Sequence, residues 1–184
     1  MKYYYTLRNL KAFRLRKVLS EPKSRPLVCR IYGASGCGKT TYLQDLAAEL
    51  KDVLWLSCEQ IKDILISSLQ QQHELSQDCK FVFIENIEDI HNVGTASLLE
   101  QLINELCRMG ITVITTESRT QLLPLNLMQS EYHLLIRPIK PTLRIIRAIA
   151  RENNISLSKQ EEAAILAKST SLNGLESLIL NFKD

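Results

Sequence analysis

Short apolar runs alternate with stretches of helical periodicity over most of the chain. Five runs predict strands, at residues 27–32, 53–56, 81–84, 112–115 and 132–136. The run at 81–84 is apolar at every position, which is typical of a strand covered on both faces. Strands that alternate with helices predict an α/β fold with a parallel sheet and right-handed crossovers.

Between the runs, apolar residues recur every three or four positions, which is the spacing of one helix face. The first such stripe consists of Leu43, Leu46, Ala47 and Leu50. A second covers 61–69 and precedes a polar surface connection at 70–78. The strongest consists of Leu98, Leu99, Leu102, Ile103 and Leu106. Gly110 is expected to end that helix, because glycine readily takes the left-handed conformation of a C-terminal cap.

The pattern changes after residue 138, where only helices are predicted. The first covers 142–153, with Pro141 suited to its opening turn. The next begins at Ser158, and Glu161 three residues later predicts a capping box. Asn173-Gly174 separates it from a last helix. We therefore expect an α/β domain at residues 1–138 and a small helical lid at 139–184.

Composition limits the class of protein. The chain has 184 residues and a net charge of +3, so it is not a polycation as a whole. It contains no apolar run near the ~20 residues that span a membrane. Its five cysteines are odd in number and lack C-x-x-C spacing, and its three histidines are scattered. These features favour a reducing, cytoplasmic setting without structural zinc.

The first thirty residues are strongly basic. They hold nine Lys and Arg residues against Glu21 alone: Lys2, Arg8, Lys11, Arg14, Arg16, Lys17, Lys23, Arg25 and Arg30. A short helix is predicted there, with an apolar face of Leu10, Phe13, Val18 and Leu19. Three interpretations stay open: a solvated helix packed on the domain, a contact surface for nucleic acid or another polyanion, and an organelle-targeting peptide. The last is disfavoured, because the segment is poor in serine and runs almost into the first strand.

A phosphate-binding motif follows the first strand. It reads G-x-x-x-x-G-K-[ST] and precedes Thr41; its residues are Gly33, Ala34, Ser35, Gly36, Cys37, Gly38, Lys39 and Thr40. The glycines let the loop aim backbone N–H groups at one anion, and the following helix adds its positive end. Lys39 is expected to reach the β- and γ-phosphates, and the Thr40 hydroxyl to bind Mg²⁺.

Polar residues also follow the two strands at 81–84 and 112–115. Glu85 is placed to hold Mg²⁺ through water, and Asn86 stands where a nucleotide hydrolase needs a carboxylate to polarise the attacking water. An amide orients water but does not accept its proton; Glu88 and Asp89, farther along, are possible substitutes. The alternative is that these acids cap the next element. Thr116 is a candidate hydroxyl for sensing the γ-phosphate.

With these elements placed, the chain resembles the AAA+ domain of the bacterial replication initiator DnaA and its shorter relatives such as Hda. The resemblance is carried by residues 27–43, 53–69, 83–90, 112–125 and 173–176. It implies a P-loop NTPase (AAA+) fold with a five-stranded parallel sheet flanked by helices, ATP or ADP with Mg²⁺ as ligands, and a role in replication initiation or its control. Replication proteins (an initiator, a helicase or the sliding clamp) and a second copy of the chain are the implied partners.

The sequence also departs from this family. The acidic pair after the third strand is Glu85-Asn86, Asn173 stands where an arginine reads the nucleotide state, and residues 125–132 contain no arginine finger. The family's helicase-interaction and origin-reading domains are not expected in this chain. The resemblance thus implies nucleotide binding more firmly than hydrolysis.

Other functions remain open. A helicase loader would have the same fold and a different partner, and a paralogue without nucleotide would be purely structural. A small-molecule kinase would use lid arginines on a second phosphate-bearing substrate, and Arg144, Arg147 and Arg151 are candidates. The segment 121–125 weakly resembles a clamp-binding peptide.

Overall fold

The computed structural model describes residues 10–21, 27–57, 60–61, 63–64, 79–89, 96–119, 121–138, 140–169 and 174–181. Its helices are α1 (Leu10–Leu19), α2 (Lys39–Ala47), α3 (Ala96–Arg108), α4 (Leu143–Glu152), α5 (Lys159–Lys168) and α6 (Leu175–Leu180). Its strands are β1 (Val28–Tyr32), β2 (Val53–Leu56), β3 (Phe81–Ile84), β4 (Thr112–Glu117) and β5 (Glu131–Leu135). A short 3-10 turn covers Ile87–Asp89. Most of the helix predicted at 61–69, the connection at 70–78 and Asn173 lie outside the described residues.

The five strands form one parallel sheet in the order β2-β3-β4-β1-β5. The prediction of a five-stranded parallel α/β fold is confirmed. β4 is two residues longer than predicted and ends at Glu117, opposite Tyr32 of β1. Since all strands run the same way, the segments that follow β1, β3 and β4 meet at one edge of the sheet.

Alternating strand residues divide the core between the two sheet faces. Cys29 and Ile31 of β1 belong to one apolar cluster, which also contains buried residues of α1, α2 and the C-terminal helices α4, α5 and α6. Val28 belongs to the other cluster, which α3 covers. Gly110 (φ 79°) follows α3 in the left-handed conformation, as the sequence predicts for a helix stop.

Helix α1 packs on the domain through a face that coincides only in part with the predicted apolar face. Ala12, Leu15 and Leu19 are buried, whereas Phe13 is 53% exposed. Of the predicted apolar face, Leu19 is buried, Val18 is half-buried and Phe13 is exposed, so that face coincides only in part with the packed one. The three buried residues are separated by three and four positions and so share one side of the helix, from which Phe13 points away.

Two polar contacts fasten α1 to α2 and the segment after it. The Tyr42 hydroxyl donates to the carbonyl oxygen of Ala12 at 2.7 Å, inside the core. Arg16 forms an ion pair with Glu49. The position of α1 is therefore set by hydrogen bonding as well as by apolar burial.

The first two C-terminal helices, α4 and α5, begin at side-chain caps. Thr142 caps α4 by accepting from the Ile145 N–H at 3.3 Å, so Pro141 precedes the cap and does not lie in the opening turn as predicted. The predicted capping box of Ser158 and Glu161 is confirmed at α5. No helix in the described ranges is long and apolar enough to span a bilayer.

A buried ion pair joins β1 to the end of β4. The Arg30 guanidinium donates to the Glu117 carboxylate at 2.6 and 3.0 Å, and the two side chains are 3% and 0% exposed. Arg30 also donates to Glu131 on β5 at 3.0 Å. The backbone of Leu123 lies between the charges: its carbonyl accepts from Arg30 and its N–H donates to Glu117, each at 2.7 Å. The pair thus holds the connection between β4 and β5 against the sheet.

Glu117→Ala is expected to lower the free energy of unfolding by about 3 kcal/mol, because it leaves a buried guanidinium short of counter-charge and removes the Leu123 N–H acceptor. Urea denaturation measures this change. Glu105→Ala is the matched control, since Glu105 pairs with Arg108 on the surface of α3 and should cost less than about 1 kcal/mol. Equal effects of the two substitutions would contradict a structural role for the buried pair.

Candidate functional site

The predicted phosphate loop lies between β1 and α2, at the carboxyl edge of the sheet. Its first residue is held by β4, because the Gly33 N–H donates to the Glu117 carbonyl oxygen at 3.2 Å. A Cβ added at Gly33 would lie 2.3 Å from the backbone oxygen of Ile136 and 2.9 Å from the Cys37 sulfur. No side chain fits in that space, so the close approach of the β5 end requires glycine there.

Gly38 is required for a different reason. It is the N-cap of α2 and has φ 96° and ψ 22°, a left-handed conformation, while an added Cβ would meet nothing within 4 Å. No side chain caps α2, and no acidic residue occupies its first turn. The N–H groups and the positive end of the helix dipole are therefore available to an anion.

Lys39 supplies a buried positive charge beside the loop. The residue is only 6% exposed, and its ammonium donates to the carbonyl oxygens of Gly33 at 3.0 Å and Ala34 at 3.3 Å. Among the described carboxylates, none forms an ion pair with it. A buried ammonium that is solvated by carbonyls alone favours an anionic ligand, and phosphate oxygens meet this need.

The Cys37 side chain adds no negative charge that would offset the Lys39 ammonium. Burial raises the pKa of its thiol, and the nearby Lys39 charge lowers it by a smaller amount. The thiol is therefore neutral at physiological pH and adds no negative charge next to the loop.

The remaining loop residues Ser35 and Gly36, together with Thr41 on α2, are exposed.

The structure brings together the two predicted metal-binding side chains. The Thr40 hydroxyl donates to a carboxylate oxygen of Glu85 at 2.6 Å, although the residues are 45 positions apart. Hydroxyl and carboxylate oxygens are hard ligands of the kind that Mg²⁺ prefers. Thr40 directly follows Lys39 in the chain, so these oxygen donors fit a metal ion that accompanies a phosphate group.

Asn86 and Thr116 are also brought together, through the backbone of Asn86. Asn86 has φ 50°, a conformation that asparagine tolerates better than most residues, and its N–H donates to the Thr116 hydroxyl oxygen at 3.1 Å. Thr116 is fully buried. The hydroxyl therefore positions the segment after β3, and its role as a phosphate sensor stays a prediction.

Glu88 links the same segment to the end of β4. One carboxylate oxygen accepts from the Ser118 N–H at 2.7 Å, and the other is buried without a hydrogen-bond partner in the described part of the chain. The Ser118 hydroxyl in turn lies 3.5 Å from the Asn86 side-chain oxygen. Glu88 thus joins Asn86 in one polar group, whereas Asp89 is exposed.

Sequence reasoning missed two backbone partners of the loop. The carbonyl groups of Glu117 and Ile136 contact Gly33 through main-chain atoms, so their side chains carry no signal for the role. The Arg30–Glu117 pair had a weak signal, namely charges inside otherwise apolar strands. Within the described ranges, no cluster of three or more His, Cys, Asp or Glu residues is arranged to hold a metal ion.

A family comparison matches residues 29–137 to the ATPase family associated with various cellular activities (AAA). The match begins in β1 and ends just after β5, so it includes the phosphate loop, Glu85 and Thr116. No curated protein sequence matches the chain.

Solved structures of DnaA share the fold. The AMPPCP-bound DnaA from Aquifex aeolicus has a TM-score of 0.77 and 18% identity over 97% of this chain. Domain III of Thermotoga maritima DnaA has a TM-score of 0.66 and 18% identity over 92% of this chain and 81% of that chain. A Walker-type ATPase of Pyrococcus abyssi has a TM-score of 0.64 and 13% identity over 93% of this chain and 67% of that chain. The chain spans only 62% of the Aquifex DnaA chain.

Gly33→Ala should destabilise the domain more than Gly38→Ala. The first places a methyl group against backbone that cannot rotate away, whereas the second adds only conformational strain, of about 1–2 kcal/mol. We expect urea denaturation to give a free energy of unfolding about 1 kcal/mol lower for the Gly33 variant than for the Gly38 variant. A reversed order would contradict the close approach of Ile136 to the loop.

Proposed function

The chain belongs to the AAA family of ATPases, and we propose that it binds ATP or ADP with Mg²⁺ as a DnaA-like, nucleotide-dependent adaptor in replication initiation or its control. Hydrolysis in this proposal is weak or depends on a partner. The observation that carries it is the buried Lys39 ammonium beside an uncapped helix start, next to the Thr40–Glu85 pair. Each of these groups suits one part of a magnesium nucleotide.

Binding is supported by charge and by shape. Lys39 would exchange carbonyl contacts for charge-assisted bonds to the β- and γ-phosphates. The backbone N–H groups of the loop and the first turn of α2 would surround the same phosphates. Thr40 and Glu85 would hold Mg²⁺, which bridges phosphate oxygens and offsets their charge.

Weak turnover is supported by the residue after Glu85. Asn86 has an amide where an ATPase needs a proton acceptor, and its backbone is held by Thr116. Glu88, the nearest candidate substitute, already uses one carboxylate oxygen to accept from Ser118. An intact binding loop beside an altered acidic pair favours a protein that acts while nucleotide is bound, rather than through hydrolysis.

The replication context rests on likeness of fold alone. The DnaA structures include one bound to AMPPCP and single-stranded DNA, with a TM-score of 0.74 and 18% identity to this chain. By analogy, we propose replication proteins as partners (an initiator, a helicase or the clamp) and self-association as a second mode.

Leu123 is buried and its backbone is held by Arg30 and Glu117, which weighs against 121–125 acting as a free clamp-binding peptide.

The kinase alternative finds less support in the lid. Arg147 donates two 2.7 Å bonds to Glu162 and thereby joins α4 to α5. The same contact holds the pKa of Glu162 below its ordinary value. Arg147 therefore serves lid packing.

No described feature favours the helicase loader over the adaptor. The free thiols of the described cysteines suit the proposed cytoplasmic setting.

Lys39→Ala should weaken the binding of Mg-ATP and Mg-ADP about tenfold to a hundredfold, because a charge-assisted phosphate contact is lost. Isothermal titration calorimetry measures both affinities. Lys80→Ala is the matched control, since Lys80 is exposed and pairs with Asp52. The proposed function fails if the unaltered protein binds neither nucleotide at millimolar concentration.

Glu85→Gln should raise the Mg²⁺ concentration needed for tight nucleotide binding or for turnover about tenfold. Affinity for ADP in the presence of a chelator should stay unchanged, because in this assignment Glu85 acts on the nucleotide only through the metal ion that it holds with Thr40. A magnesium titration of the variant beside Glu105→Gln tests this. Unchanged magnesium dependence would show that the metal assignment is wrong.

A further inference from the structure

Helix α1 is joined to the first turn of α2, which directly follows the phosphate loop. Tyr42 makes this connection with two of its own groups. Its backbone N–H donates to the Gly38 carbonyl oxygen at 3.0 Å and so closes the opening turn of α2. Its side-chain hydroxyl donates to the carbonyl oxygen of Ala12 in α1 at 2.7 Å. One residue therefore belongs to the phosphate-binding turn and also holds α1.

The contact between Tyr42 and Ala12 lies inside the core. Both residues are 0% exposed, so water does not reach either group to replace the other. Breaking a hydrogen bond there costs more free energy than breaking one at the surface, because the desolvated groups lose a partner without gaining water. A displacement of the first turn of α2 is therefore either passed to α1 or opposed by this bond.

The first turn of α2 is the part of this unit that a phosphate group would stabilise. No side chain caps the helix, and no acidic residue lies in its first turn. A bound phosphate supplies hydrogen-bond acceptors for the N–H groups and negative charge at the positive end of the helix dipole. The free energy gained there favours the helical position of Tyr42, from which its hydroxyl reaches Ala12.

A second contact holds α1 at the other end of α2. Arg16 forms an ion pair with Glu49, and the two side chains are 33% and 29% exposed. Glu49 lies ten residues after Lys39, about 15 Å farther along a helix axis. This ion pair strengthens the docking of α1 without touching the phosphate-binding turn.

We propose that the docking of α1 responds to nucleotide, through Tyr42: an occupied phosphate loop tightens the contact of α1 with α2, and an empty loop loosens it. The inference rests on the nucleotide binding proposed above and adds a path by which the bound state reaches the protein surface. Lys11, Arg14 and Lys17 on the outward side of α1 are exposed, so its docking changes a surface that a partner can contact. The coupling is reciprocal, so docked α1 also raises nucleotide affinity.

Hydrogen–deuterium exchange of the full chain, followed by mass spectrometry, measures the opening of α1 with and without saturating Mg-ADP. ADP should slow the exchange of the α1 amides about tenfold, a coupling of the size typical of linked sites. Helix α3 covers the opposite face of the sheet and serves as the internal reference. Its exchange should slow by less than about twofold, because it has no contact with the phosphate-binding turn in this scheme.

Two variants separate the docking of α1 from its coupling to nucleotide. Tyr42→Phe removes the hydroxyl that joins α1 to the phosphate-binding turn and should reduce the slowing by ADP from about tenfold to about twofold. Arg16→Gln is the matched control, because it removes the contact at the far end of α2. It should speed the exchange of α1 about threefold both with and without ADP, and so keep the tenfold slowing. Thermal unfolding shows whether each variant keeps the fold.

Equal slowing of α1 and α3 by ADP in the unaltered protein would overturn the proposal, since it would report general stabilisation by the ligand. Equal slowing of α1 in the two variants would overturn it as well. If Tyr42→Phe does not fold, the comparison of α1 with α3 in the unaltered protein decides. Calorimetry on the same samples separates the two proposals: absence of ADP binding removes both, whereas binding without a selective effect on α1 removes only this one.

Discussion

The end of β4 holds three parts of the candidate site at once. The Glu117 carbonyl accepts from Gly33 of the phosphate loop, and the Thr116 hydroxyl accepts from the Asn86 N–H. The Ser118 N–H donates to Glu88. In a parallel sheet the carboxyl ends of neighbouring strands lie at one edge, so one strand end is able to contact both flanking segments. The geometry of the loop and of the acidic segment therefore depends on the position of β4.

That position is itself fixed from inside the sheet. The Glu117 side chain is fully buried, pairs with Arg30 of β1, and together with it holds both polar groups of the Leu123 backbone. Buried charges are tolerated when each finds several hydrogen-bond partners, as these do. The same residue thus fixes the loop through its carbonyl and the β4–β5 connection through its carboxylate, which makes both segments sensitive to any shift in the strand.

Next to this framework, the candidate site is better equipped to bind a nucleotide than to hydrolyse it. A buried ammonium, an uncapped helix start and a hydroxyl–carboxylate pair suit a magnesium nucleotide, while an amide occupies the place of the expected base. In the proposed adaptor role, this imbalance prolongs the bound state, because binding uses preformed groups and turnover lacks a proton acceptor. Helix α1 is fixed to α2 by the hydrogen bond from the Tyr42 hydroxyl to the Ala12 carbonyl.

The sequence by itself determined the features that obey local rules. The strand runs, the glycine motif, the capping box at Ser158 and the helix stop at Gly110 each depend on a few neighbouring residues, and the structure has them where predicted. Only the tertiary structure decided the strand order, the buried side of α1, the Arg30–Glu117 pair and the approach of Ile136 to Gly33. These are contacts between residues far apart in the chain, and they follow from sheet register and helix packing, which local propensity does not specify.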